Sequence, residues 1–136
     1  MSEISDVEIK EIPTIEDYRG NIGVVEKAVF GYPVKRTYYL FDVPSSATRG
    51  GHSHKNIHST LVAVSGSFEV VLKDGKEEKT VFLNKPNLGL HIVPGIWREL
   101  KNFSSGAVCL VFASEEFSEE DYIRDFQEFL ESKKQS

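Results

Sequence analysis

Between residues 34 and 113 apolar positions come in short runs broken by turn residues, the rhythm of a chain that folds back and forth as strands. Residues 34–43 are rich in aromatic and branched side chains, residues 57–64 are apolar, and residues 68–72 lead into Lys73-Asp74-Gly75-Lys76. Asp-Gly between two such runs predicts a hairpin, with residues 80–83 returning. Pro86 precedes residues 88–93, Pro94-Gly95 turns the chain into residues 96–100, and Ser104-Ser105-Gly106 opens the run 107–113. Together these predict an all-β sandwich or barrel. After Ser118 the period changes. Ser118 and Asp121 are spaced like a capping box, and Tyr122, Ile123, Phe126, Phe129 and Leu130 share one helical face, which predicts a C-terminal α-helix packed on the strands. No internal repeat interrupts the pattern, so residues 1–136 read as a single domain with flexible ends at 1–7 and 132–136.

At 136 residues the chain is long enough to bury one core. Its 16 Lys and Arg against 21 Asp and Glu give a net charge of -5, which argues against general affinity for nucleic acid or acidic lipid but leaves room for a local basic pocket. The lone cysteine, Cys109, sits inside an apolar run and reads as a buried strand residue rather than a catalytic thiol. Acids at Glu3 and Asp6, no signal-like apolar core and no run of transmembrane length predict a cytoplasmic protein without a membrane partner.

The candidate chemistry lies in Arg49-Gly50-Gly51-His52-Ser53-His54-Lys55. On a regular strand alternate side chains share a face, so His52 and His54 project together and Ser53 away from them. Imidazole titrates near neutrality, so the pair can bind a metal or move protons. A lone strand histidine is more often structural, but two at alternate positions between Arg49 and Lys55 favour function. His58 and His91 lack that setting and read as ordinary polar residues. Tyr38 and Tyr39 point to opposite faces of their strand, which places one of them in the core. Trp97 either fills the core or stacks on a ligand.

A strand-rich domain with a Gly-His-x-His element resembles a cupin, a small jelly-roll barrel. Cupins generally bind a metal through two His and an acid of the first motif and a third His from a later Gly and Pro segment. Here His58 or Ser59 stands near the place of the acid, and Arg98, after Pro94-Gly95-Ile96-Trp97, stands in place of the third His. A guanidinium has no lone pair to give, so no metal is expected, and a site of His52, His54 and His58 is the minority alternative.

A closer likeness rests on five motifs in order: Asp17-Tyr18-Arg19-Gly20, residues 35–42, residues 49–55, Val93-Pro94-Gly95-Ile96-Trp97, and Asp121-Tyr122-Ile123-Arg124. In these the chain resembles the dTDP-4-dehydro-6-deoxyglucose 3,4-ketoisomerases, which are metal-independent cupins without cofactor. The resemblance implies a dTDP-linked 4-keto-6-deoxy sugar as substrate, in deoxyamino-sugar biosynthesis. It implies His52 as the base that takes the C3 proton, with His54 as the candidate for shuttling protons between the two oxygens or for holding them, and Arg19, Tyr38, Arg49, Trp97 and Arg98 as substrate contacts. It also implies a homodimer with exchanged N-terminal strands, for which residues 7–29 are available. Arg98 replaces the usual His of these enzymes. It can hold an anion, but its pKa is too high for returning a proton to C4, which leaves the C4 configuration of the product open. A metal-dependent cupin and a non-catalytic sugar-nucleotide binder are the other readings. The 3,5-epimerase arrangement, a His with a distant Asp and a Tyr, is not found in the sequence.

Overall fold

The computed structural model describes residues 2–134. Its strands are β1 (Glu8–Glu11), β2 (Thr14–Asp17), β3 (Gly20–Gly23), β4 (Arg36–Leu40), β5 (Arg49–His54), β6 (Ser59–Ser65), β7 (Phe68–Lys73), β8 (Glu78–Leu83), β9 (Leu88–Ile92), β10 (Trp97–Lys101), β11 (Val108–Ala113) and β12 (Tyr122–Ile123), followed by helix α1 (Phe126–Lys134). One antiparallel sheet runs β1-β9-β6-β11-β4 and a second runs β12-β5-β10-β7-β8, while β2 and β3 form a separate hairpin. Two five-stranded sheets face to face are the expected jelly-roll architecture with its C-terminal helix.

Side-chain alternation builds the core. Leu61 and Ala63 on β6, Phe68, Val70 and Leu72 on β7, and Cys109 and Val111 on β11 point between the sheets with Leu90, Ile92 and Leu100. Each fully buried side chain of this size contributes about 1.5–3 kcal/mol. The opposite face of β6 is also buried, because Val62 meets Phe30, Tyr32 and Phe112 where residues 24–34 cover the first sheet. Hence β6 reads as an unbroken apolar run and not as an alternating one. The Asp-Gly hairpin is present: Asp74 Oδ1 accepts the backbone N–H groups of Lys76 and Glu77 at 2.8 and 2.7 Å, which closes the turn between Lys73 and its partner Glu78.

Three expectations need correction. The helix starts at Phe126, because the Asp125 side chain accepts the Glu128 N–H at 3.1 Å and caps it there. Ser118 precedes only a short 3₁₀ turn, Glu119–Asp121, and makes no side-chain cap bond. Tyr122 and Ile123 pair with His54 and Ser53 as an edge strand instead of joining the helix. The N-terminal end is anchored: the Ile4 N–H donates to Asp74 Oδ2 at 2.9 Å and its side chain enters the core. Residues 132–134 belong to α1, so the flexible end expected there is also corrected, while residues 1, 135 and 136 lie outside the described residues. Of the two tyrosines on β4, one packs against the core as expected, Tyr38, while Tyr39 is exposed. No helix among the described residues is long and apolar enough to cross a membrane.

Candidate active site

Strand β5 does not run straight into its histidines. Gly50 and Gly51 have φ of +83° and +67°, values that favour glycine, and the pairing of β5 with β10 slips between Arg98 and Glu99. The resulting bulge bends β5 and sets His52 directly across from Arg98. A Cβ on Gly50 would come within 3.1 Å of the Arg98 carbonyl oxygen, so the bulge and the arginine strand are packed against each other.

His52, Tyr38, Arg98 and Tyr122 line a cavity of about 480 Å³ between the sheets, floored by Leu61 and Val111. Arg36, Arg49 and Arg124 complete a set of four guanidinium groups, and no carboxylate side chain is among the described lining residues. Such a cavity selects an anion. The arginines differ in setting. Arg98 is buried, its Nε and Nη2 donating to the Ile96 carbonyl at 3.4 and 3.3 Å, and burial lowers its pKa to about 10, still cationic at neutral pH. Arg36 lies 4.2 Å over the Tyr38 ring, and Arg124 lies 4.1 Å over Tyr122 while its Nε and Nη2 donate to Glu119 at 2.8 and 2.9 Å. These contacts hold two long side chains in place before any ligand arrives.

Burial, then the charge of Arg98, then His54 push the His52 pKa down to about 3, so this imidazole is neutral with a free lone pair across the physiological range. Burial raises the Tyr38 pKa, which keeps its phenol a hydrogen-bond donor. His54 does share the His52 face, with ring centroids 4.9 Å apart and planes at 84°, and it is buried against the ring of Tyr122, a cavity residue, 4.4 Å away. Its Nδ1 is 3.0 Å from Asp121 Oδ2, with both side chains buried.

Of the other expected contacts, Arg49 lines the cavity and Trp97 does not. Trp97 lies under α1 against Phe126 and Phe129, its Nε1 donating to Glu99 at 2.8 Å. Arg19 sits at the exposed tip of the β2–β3 hairpin, paired with Asp17 at 2.9 Å, and does not touch this cavity. The three-histidine arrangement is not formed: His58 pairs with His91 at 2.9 Å on the first sheet, beside Tyr32. Among the described residues no group of three or more His, Cys, Asp or Glu is arranged around one ion. The sequence reading missed Arg36, Tyr122 and Arg124 as cavity residues. Their only signal was membership of the motifs 35–42 and 121–124.

Residues 5–134 match the family model described as FdtA: WxcM-like, C-terminal. The TDP-4-oxo-6-deoxy-alpha-D-glucose-3,4-oxoisomerase of Aneurinibacillus thermoaerophilus is 38% identical over 116 residues, which span 85% of this chain and 84% of that one. A mutant of the 3,4-ketoisomerase QdtA from Thermoanaerobacterium thermosaccharolyticum, solved in complex with TDP-4-keto-6-deoxyglucose, superposes with a TM-score of 0.94 at 37% identity, covering 98% of this chain and 97% of the other. WlaRB, a TDP-quinovose 3,4-ketoisomerase from Campylobacter jejuni, superposes with a TM-score of 0.89 at 40% identity over 94% of this chain and 99% of its own. A family match over residues 5–134, together with relatives at 37–38% identity and the same fold over nearly the whole chain, means that the chain belongs to the FdtA family of cupin-type sugar-nucleotide 3,4-ketoisomerases.

Proposed function

We propose that this ketoisomerase converts dTDP-4-dehydro-6-deoxyglucose to a dTDP-3-dehydro-6-deoxyhexose without metal or cofactor, in the cytoplasm. The observation that carries the reading is a neutral imidazole, His52, set opposite a buried guanidinium, Arg98, in a cavity with no carboxylate side chain among its described lining residues. Moving the ketone from C4 to C3 transfers one proton between carbons and one between oxygens. His52 takes the proton from C3, the C–H electron pair becomes the C3–C4 double bond, and negative charge gathers on O4. Arg98, its guanidinium donors only weakly engaged by the Ile96 carbonyl, and Tyr38 offer donors to that charge. A proton then reaches C4, while the O3 proton passes to O4 through His54, leaving a ketone at C3 and a hydroxyl at C4. Arg49, Arg36 and Arg124 hold the diphosphate at the mouth of the cavity.

The bound anion also adjusts the base. A basicity as low as that of free His52 is poor for abstracting a carbon acid, but a diphosphate offsets the surrounding guanidinium charges and raises it toward the working pH. The likeness to a TDP-quinovose enzyme supports the gluco configuration at C4.

The homodimer belongs to the same reading. β1 pairs within its own chain, so the exchangeable segment is the β2–β3 hairpin, which leaves Ile15, Tyr18 and Ile22 exposed. A second copy covering that hairpin buries them and brings Arg19 to its own cavity.

The test is proton NMR of dTDP-4-dehydro-6-deoxyglucose with EDTA-treated protein in deuterated water. A 3-keto sugar carrying deuterium at C4 is expected, and the coupling pattern of a protonated control reads the configuration. Binding of dTDP with no conversion would replace this reading with a non-catalytic binder. Turnover lost to EDTA and restored by a divalent ion would replace it with a metal-dependent cupin.

A further inference from the structure

The reaction just proposed uses His54 to move a proton between oxygens, and a histidine does this only if one ring nitrogen carries a lone pair while the other is held. The structure shows what holds it. Asp121 ends the 3₁₀ turn Glu119–Asp121, and β12 follows at once, pairing Tyr122 with His54. The carboxylate is therefore delivered to the back of the His54 ring by the strand that lies beside it. Lys55 N–H donates to the Asp121 carbonyl at 2.9 Å, Asn56 N–H to Oδ1 at 2.8 Å, and Ile57 N–H to Oδ2 at 3.3 Å. These bonds leave the carboxylate little freedom to turn.

A carboxylate accepts and cannot donate, so the 3.0 Å contact requires that Nδ1 of His54 carry the proton. Nε2 then holds the lone pair. Gly95 N–H donates to the His54 carbonyl at 2.8 Å, and the Tyr122 ring lies 4.4 Å from the imidazole, so backbone and ring plane are both fixed. Asp121 and His54 are each buried, which strengthens the bond and discourages exchange with water.

We propose that Asp121 is a positioning residue of the isomerisation: through Nδ1 it holds His54 in the tautomer whose Nε2 accepts the O3 proton and returns it to O4, and it stabilises the imidazolium formed in between. The proton arrives at Nε2 and leaves from Nε2, the Nδ1 proton stays in its bond to Asp121, and no other reactant is needed. This role rests on the ketoisomerase reading above.

Two measurements test it. Long-range proton–nitrogen correlation spectra of the unmodified protein, which need no substrate, are expected to show His54 protonated at Nδ1 and not at Nε2. The Asp121→Asn variant keeps size and shape but removes the charge. It is expected to melt below the parent, because its amide NH2 must face an N–H donor that the carboxylate accepts, yet to stay folded under assay conditions, bind dTDP normally, and lose kcat by about 10²–10⁴-fold with KM within about threefold, as loss of a tautomer-fixing carboxylate does elsewhere. A His54 protonated at Nε2 in the unmodified protein would overturn the inference, even if the variant failed to fold. So would a folded Asp121→Asn enzyme with kcat within about threefold of the parent. If the parent itself turns over nothing while its Nδ1 is protonated, the ketoisomerase reading fails and the positioning role falls with it. Turnover by both proteins at rates within about threefold removes the role of Asp121 alone.

Discussion

His52 and Arg98 face each other across two paired strands, and their charges are coupled. Removing the proposed base should cost the chemical step and little of the ground-state affinity, so His52→Asn is expected to lower kcat by about 10²–10⁴-fold while dTDP still binds, as steady-state kinetics and calorimetry would show. Unchanged turnover would take His52 out of the reaction. Arg98 acts in the opposite sense on basicity: its positive charge opposes protonation of His52, so Arg98→Met should raise the His52 pKa. The acid limb of the kcat/KM profile then moves to higher pH, and kcat falls as the enediolate loses its donor. A limb that stays in place would mean that Arg98 does not sense the base.

At the scale of elements, the β5 bulge is what aims His52 into the cavity, and it depends on Gly50. An alanine there combines a left-handed φ with a Cβ 3.1 Å from the Arg98 carbonyl and 3.3 Å from the Leu100 side chain. The strain is about 1–3 kcal/mol, and relief by shifting β5 against β10 would move the His52–Arg98 pair itself. Gly50→Ala is therefore expected to lose activity well beyond what its loss of stability explains, as thermal melts beside kinetics would reveal. Strand β12 shows how neighbours override local pattern. The periodicity of residues 122–130 fits a helix, yet the open edge of β5 draws Tyr122 and Ile123 into a ladder. Trp97 shows the same dependence on placement: its side chain is buried with Ile123, Phe129 and Leu130, where α1 covers the second sheet.

For the molecule as a whole, histidines matter to stability as well as to turnover. His52 and His54 are held down at about 3 and His91 at about 4, each mainly by burial, and His58 is lowered as well. Below the ordinary histidine pKa the unfolded chain takes up protons that the folded chain refuses, so stability is full above about pH 6.5 and falls as the pH drops toward 4. The two most buried, His54 and His91, each contribute a loss on the order of 2 kcal/mol by pH 5. Urea melts at pH 7.5 and 5 should show it, and equal midpoints would mean that these rings protonate without unfolding. Light scattering should give twice the chain mass, and a mass of one chain would remove the dimer. The order of strands, the Asp-Gly hairpin and the two adjacent histidines were legible in the sequence, because alternation, turn chemistry and ligand spacing are local properties. The ordered motifs also carried the family. Which of those residues meet was not legible. That His52 lines the cavity while His54 pairs with Asp121, 67 positions along the chain, that Arg36 and Arg124 join the site, and that Arg19 lies away from it in a single chain all depend on a bulge, a strand edge and the closure of two sheets. Sequence sets which face a side chain takes along its own strand; only the packing of strands distant in sequence sets what that face meets.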